Sequence, residues 1–220
     1  MIQGYILLGS PGSGKGTIGQ FMKPYATQHI ASGDILRKEV KENTPIGKQT
    51  QALIQEGKQV PDALITEIVL KRLEECIKKK FPFVLDGFPQ TLSQLESLHG
   101  FLQKHPEYQV KTLCVEVEPK TALQRMTERI SCPQCERIYN KATTPPLNPD
   151  TCDACAIPLT SRESDKEEAA KARLWQFERT TKKVMDFVRS QPNVFCINGN
   201  SPIYKVQEQL IPILNNRPLA

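Results

Sequence analysis

The sequence predicts an α/β protein in which a parallel sheet is covered by helices on both faces. Two observations carry that prediction. Short apolar runs with strand character recur along the chain, at residues 5–8, 83–85, 112–117 and 194–197. Between them lie amphipathic stretches with a 3.6-residue period, at residues 63–79, 92–104, 121–130, 167–190 and 203–215. Strands separated by helices are the pattern of a sheet with crossover connections. A length of 220 residues suits one such core with small insertions.

The composition narrows the function classes. Hydrophobic residues make up 39% and charged residues 24%, which describes a globular chain rather than a disordered one. No apolar run reaches the roughly 20 residues of a membrane helix. The start, MIQGYILLGSPG, has neither a basic lead nor a small-residue cleavage pattern, so a cytoplasmic protein without a membrane partner is expected. The net charge of +5 is spread among acidic residues, which suits a small anionic ligand and not a nucleic-acid backbone. Lys78, Lys79 and Lys80 fall where a helix should end, and cations there complement the helix dipole.

Taken in order, the first strand runs into GSPGSGKGT, residues 9–17, and then into a helical stretch. Glycines let successive N–H groups turn inward onto phosphate oxygens, the following helix adds its positive end, and Lys15 adds a mobile charge. The usual phosphate-loop spacing is met by Gly9, Gly14 and Lys15, although Gly16 stands where Ser or Thr normally follows and Thr17 comes one later. Two segments, 31–60 and 131–160, do not continue the alternation and read as insertions on the core. Asp86 ends the apolar strand FPFVLD, where a carboxylate beside a phosphate loop can orient the waters of Mg²⁺; a turn or N-cap aspartate is the plainer use. Thr91 and Gln94 have the spacing of a capping box. Arg125 and Arg129, four apart, should share one face of the helix expected over 121–130, where a surface pair with Glu118 or Glu128 is the alternative.

The second insertion holds two Cys-x-x-Cys knuckles, Cys132 with Cys135 and Cys152 with Cys155, separated by 16 residues. That spacing fits a closed, structural Cys₄ zinc site. A disulfide framework is disfavoured in a reducing compartment, and seven cysteines leave one unpaired in any case. An insertion of about 30 residues is too small for its own apolar core, so a metal staple has a physical purpose. Cys114 and Cys196 lie in apolar strands and read as small core residues, and Cys76 sits in a helix. His29, His99 and His105 have no metal-ligand spacing.

The loop Gly-x-Pro-Gly-x-Gly-Lys-Gly-Thr resembles that of nucleoside monophosphate kinases, where the displaced threonine is normal. SGDILR, DGFPQT, Arg125 and Arg129, SRESD and NGNSP follow in the family's order, and the whole chain is similar to adenylate kinases of the bacterial type with a long zinc-containing lid. The resemblance implies a P-loop core with a five-stranded parallel sheet (residues 1–30, 61–130 and 161–220), an AMP-binding insertion (31–60) and a zinc-binding lid (131–160). It implies reversible Mg²⁺-dependent transfer from ATP to AMP giving two ADP, in line and under a closing lid, by a monomer. ATP would be held by Gly12, Ser13, Gly14, Lys15, Gly16, Thr17, Arg129, Tyr139 and Ser201. AMP would be held by Ser32, Arg37, Val60, Gly87, Gln90, Gln94, Arg162 and Arg173. Lys15, Asp86 and the four arginines Arg125, Arg129, Arg162 and Arg173 would serve catalysis. Gln94 at the acceptor base favours AMP over pyrimidine acceptors, and Val60, in GKQVPD, would line the same pocket.

The chain departs from the family twice. Gln90 stands where an arginine usually grips the acceptor phosphate, and Ser164 replaces one of two adjacent aspartates, leaving Asp165. An amide cannot replace a bidentate guanidinium, so reduced but real activity is expected. The rival expectations are a kinase for another monophosphate or a GTP donor, and a nucleotide-binding regulator that has lost turnover. A zinc-ribbon nucleic-acid module is weaker, since aromatic and basic residues do not gather at the knuckles.

Overall fold

A computed structural model of the chain describes residues 1–26, 28–55, 60–135 and 137–215. Residues 57–59 of the GKQVPD stretch lie outside the described residues. The core is a five-stranded parallel sheet of β1 (Ile2–Gly9), β2 (Gln28–Ala31), β3 (Phe83–Asp86), β4 (Tyr108–Glu116) and β7 (Val194–Asn198), in the order β2-β3-β1-β4-β7. The central strand shows why the sequence reads as a continuous apolar run. Ile6 and Leu8 point into one core layer while Tyr5 and Leu7 point into the other, so neither face tolerates a polar residue.

The first layer is closed by α4 (Asp62–Lys78), α5 (Leu92–Leu102) and α8 (Thr181–Val188), through Ile68, Val69, Leu73, Leu98 and Val184. The second is closed by α1 (Lys15–Phe21) and α9 (Ile203–Leu214), through Ile18, Val206, Leu210 and Ile213. At the end of α4, Lys80 adopts φ 54°; its N–H bonds Ile77 O at 2.9 Å and the Phe81 N–H bonds Cys76 O at 3.0 Å. This is a Schellman closure, and it gives the lysine run the helix-end role expected of it.

The segment after β2 folds as two helices, α2 (Ser32–Lys41) and α3 (Pro45–Gln55). Thr44 caps α3, accepting from the Gly47 N–H at 3.0 Å, with Pro45 opening the helix. The helices cross so closely that a Cβ on Gly47 would stand 1.9 Å from the Glu39 carbonyl oxygen. In the second insertion β5 (Arg129–Ser131) and β6 (Ile138–Asn140) form an antiparallel pair, and Ser131 exchanges backbone bonds of 2.9 Å with Thr160. A small cluster of Ile130, Cys132, Tyr139 and Cys152, flanked by Cys155, Ile157 and Leu159, is the buried apolar cluster of this segment, while Ile138 and Leu147 are exposed.

Four expectations need correction. The helix expected over 121–130 is α6 (Pro119–Thr127), so Arg129 begins β5 and does not share a helical face with Arg125. The Thr127 hydroxyl folds back onto Leu123 O and Gln124 O, and hairpin pairing then takes the backbone. The stretch 167–190 is two helices, α7 (Glu167–Arg179) and α8, broken at Thr180 (φ −124°, ψ −80°), whose hydroxyl donates to Gln176 O at 2.9 Å. β2 was not among the apolar runs, because only Ile30 of its four residues is buried. Cys196 is exposed on the edge strand β7 rather than in the core.

The α2–α3 crossing is the tightest backbone approach that a glycine makes here. Gly47→Ala is expected to lower stability by about 1–3 kcal/mol through overpacking, read as a lower urea midpoint at unchanged m-value.

Candidate active site

The carboxyl ends of β1, β3 and β7 bring the phosphate loop, Asp86 and the NGNSP turn to one edge of the sheet. Gly12 and Gly14 have φ of 80° and 95°, which an L side chain resists, and a Cβ on Gly12 would stand 2.3 Å from Ala122 O. Glycine at these positions is therefore a requirement of the loop and not a bland turn. Lys15 folds inward, with Nζ donating to Gly9 O at 2.7 Å and Ser10 O at 2.8 Å and standing 3.5 Å from Ser13 Oγ. Its pKa is lowered to about 8, mainly by desolvation; nearby Asp86 opposes the shift, and Arg173 and Arg129 add to it. Ser13 is buried, Gly16 lies beneath the Ile138 side chain of β6, and Thr17 is exposed on the first turn of α1.

Three of the four expected arginines converge on this edge, and Arg125 reaches it from α6. Arg129 binds Asp165 through two bonds, Nε to Oδ2 at 2.7 Å and Nη2 to Oδ1 at 2.6 Å. Arg173, from α7, donates to the same Oδ1 at 2.9 Å and to Ser164 O at 3.1 Å. Asp165 is 4% exposed, so one buried carboxylate joins the start of the β5–β6 hairpin to α7. Burial and the Arg129 charge hold the Arg173 guanidinium below its ordinary pKa, and burial with Arg129 and Arg37 does the same to Arg162. Arg125 is lowered by burial alone; its Nη1 donates to Gly199 O at 2.7 Å, and no ion pair joins it to Glu118 or Glu128 among the described residues.

On the other side of Asp86, Ser32 Oγ donates to Gly87 O at 2.8 Å and Gln90 Nε2 donates to the same carbonyl at 2.8 Å. Gly87 itself has φ 73°. Gln94 is buried; its Oε1 accepts from the Gln90 N–H at 2.7 Å and its Nε2 donates to Asp62 Oδ1 at 3.0 Å. Thr91 Oγ1 accepts from the Gln94 N–H at 3.3 Å and donates to Asp62. The capping pattern is thus real, with the glutamine reaching one residue beyond the cap. Arg37 is exposed on α2 and ion-paired with Asp34, and Val60 is half-buried.

Tyr139 is 5% exposed, with its hydroxyl accepting from the Asp153 N–H at 2.9 Å and 3.6 Å from Cys152 Sγ. Its ring packs with Ile130, Cys132 and Cys152. Ser201 is half-buried in the turn where Asn200 Oδ1 accepts from the Glu118 N–H at 3.0 Å. Two site residues went unmarked in the sequence. Asp62 reads there as an ordinary acid in a helix's first turn, and His29 lacks a motif, yet its Nε2 lies 3.6 Å from Asp86 Oδ2 in the space left by Gly19.

The four cysteine sulfurs lie within 4.8 Å of one another, a cluster able to hold a metal ion. A tetrahedral zinc thiolate site has Zn–S distances of about 2.3 Å, which this spacing suits. Burial would raise the Cys152 thiol, but hydrogen bonds from Tyr139 and from the N–H groups of Ala154 and Cys155 outweigh it and draw it down to about 6. No helix among the described residues is long and apolar enough to cross a membrane.

Comparison with known proteins agrees with this geometry. Residues 7–193 match the family model described as adenylate kinase. An adenylate kinase from Finegoldia magna is 38% identical over 209 residues, covering 94% of this chain and 96% of the relative. Adenylate kinases from Clostridium perfringens and Thermotoga maritima are each 36% identical, covering 96% and 95% of this chain and 98% and 96% of their own lengths. With a glycine loop, an inward lysine and converging arginines at the edge of a parallel sheet, and relatives matched nearly end to end, the chain belongs to the adenylate kinase family.

Proposed function

We propose that this chain transfers a phosphoryl group reversibly from ATP to AMP, giving two ADP, at the sheet edge where Lys15 and the four arginines converge. That convergence carries the reading, because phosphoryl transfer asks a protein mainly to position two phosphate chains and to stabilise the charge spread over the moving group. The loop N–H groups of residues 12–17 and Lys15 would hold the donor phosphates. Arg125, Arg129, Arg162 and Arg173 would surround the transferred group, and Arg37 would take the acceptor phosphate. Ser32, Val60, Gly87 and Gln94 would form the acceptor side, and Ser201 the donor-base side. Magnesium, when bound with ATP, would supply charge neutralisation and a template for in-line geometry; Asp86, whose charge acts on Lys15, would orient its waters.

Residues 1–30, 61–130 and 161–220 form the catalytic core in this reading, 31–60 the AMP-binding insertion and 131–160 a lid whose Cys132, Cys135, Cys152 and Cys155 hold a structural zinc ion. Lid closure excludes water and so protects ATP from hydrolysis. The chain acts as a cytoplasmic monomer without nucleic-acid partners. One observation favours a second reading, a nucleotide-binding regulator: Gln90 is neutral and its amide is spent on Gly87 O. Purified chain with Mg-ATP and AMP, UMP, CMP or GMP separates the two. Saturable ADP formation with AMP supports the kinase; ATP binding without transfer to any acceptor supports the regulator.

Four outcomes follow from the residues. Gln90→Arg restores a bidentate phosphate contact and is expected to lower the KM for AMP about tenfold or more. Lys15 is charged in the free protein only below about pH 8. Hence kcat/KM for ATP falls as pH rises through about 8, by up to roughly tenfold per unit, and a profile flat to pH 10 contradicts the assignment. The same depression makes the folded state gain stability as pH rises from about 8 towards 10.5, because the unfolded chain still binds the proton there. Chelating the metal should loosen the lid first, seen as faster hydrogen exchange across residues 131–160 while β1 and β4 stay protected; loss of both together would contradict a local staple.

A further inference from the structure

We propose that Asp62 is a specificity-determining positioning residue that locks the Gln94 amide in one orientation, so that the acceptor pocket takes a 6-aminopurine monophosphate and rejects a 6-oxopurine. The inference rests on the reading of Gln94 as the acceptor-base contact. Asp62 reaches Gln94 from the first turn of α4: its Oδ1 accepts from Nε2 at 3.0 Å, while the other oxygen takes the Thr91 hydroxyl. On the opposite side the Gln90 N–H donates to Gln94 Oε1 at 2.7 Å.

A glutamine amide is nearly symmetric in shape and can turn over to exchange oxygen for nitrogen. Here it cannot. A carboxylate only accepts and a backbone N–H only donates, so turning the amide would set oxygen against Asp62 and NH₂ against the Gln90 N–H. Thr91 holds the carboxylate in turn, since its hydroxyl oxygen accepts from the Gln94 N–H and its proton therefore goes to Asp62.

After these bonds the amide keeps one N–H and one oxygen lone pair. Adenine presents the complement, an N1 acceptor beside an N6 donor. Hypoxanthine and guanine present the reverse, an N1–H donor beside an O6 acceptor, and meet donor with donor and acceptor with acceptor. Gln94 is 1% exposed, so a base contacts it only after the covering groups swing aside, and the two fixed bonds keep the amide from turning while they do.

The test is kcat/KM for AMP and for IMP, which matches AMP in size but carries the 6-oxo edge, in the parent chain, Asp62→Asn and Gln94→Leu. Asparagine can show either oxygen or NH₂ to Gln94, so it removes the constraint set by Asp62 and leaves the Gln90 N–H alone to orient the amide. The AMP-to-IMP ratio is expected to fall about tenfold or more in Asp62→Asn, while Gln94→Leu raises the KM for AMP. An unchanged ratio in Asp62→Asn, with Gln94→Leu still costing AMP binding, overturns the lock and leaves the base contact standing. If Gln94→Leu does not move the KM for AMP, the base-contact reading fails and the lock with it. Should Asp62→Asn fold poorly, Asp62→Ala removes the same acceptor, and the ratio, unlike either rate alone, is insensitive to the fraction of folded protein.

Discussion

Asp165 holds together a group of cations that would otherwise push apart. Arg129 and Arg173 are bonded to it at 2.6–2.9 Å, and Arg162 and Lys15 feel the same arginine charges. Two like charges about 4 Å apart cost roughly 4 kcal/mol at an effective dielectric near 20, a large share of the 5–15 kcal/mol that a domain has in total. A carboxylate that is 4% exposed is costly by itself, and only its three charge-assisted hydrogen bonds offset the desolvation. Substrate phosphates would do for the arginines what Asp165 does without them. The carboxylate therefore holds Arg129 and Arg173 together in place while tying the β5–β6 hairpin to α7.

The same logic runs through the phosphate loop. Lys15 turns onto the loop's own carbonyls, which keeps the ammonium enclosed at the expense of its pKa. The parallel sheet supplies the rest, since β1, β3 and β7 all end at one edge. There the loop glycines, Asp86 and the Gly199 turn meet without any strand having to bend. Beyond Gly87, Asp62, Thr91, Gln94 and the Gln90 N–H form one network that fixes the Gln94 amide from both sides.

Much of this was legible in the sequence, for reasons that differ by element. β1 and β3 at the centre of the sheet appear as the apolar runs 5–8 and 83–85; β2 at the edge buries only Ile30 and leaves no such mark. Arg129 was placed on a helix because QRMTERI favours one. What ends α6 is a hydroxyl turned back on the helix and pairing with a strand nine residues on, and neither is a local propensity. The four cysteines announced their cluster by spacing, whereas Tyr139 gave no sign that its hydroxyl would contact Cys152 and Asp153. Asp62 was hidden because its partners are 29 and 32 residues away.

That one buried carboxylate preassembles the arginine cluster is tested most directly by the melting temperature of Asp165→Asn and of the parent chain, each with and without saturating ATP. If Asp165 substitutes for phosphate, the variant melts lower alone, and ATP recovers more of its stability than it adds to the parent, because the nucleotide returns the missing negative charge. A variant as stable as the parent, or one that ATP stabilises by no more than the parent, would mean that the arginines are held by packing and that charge balance does not organise the site.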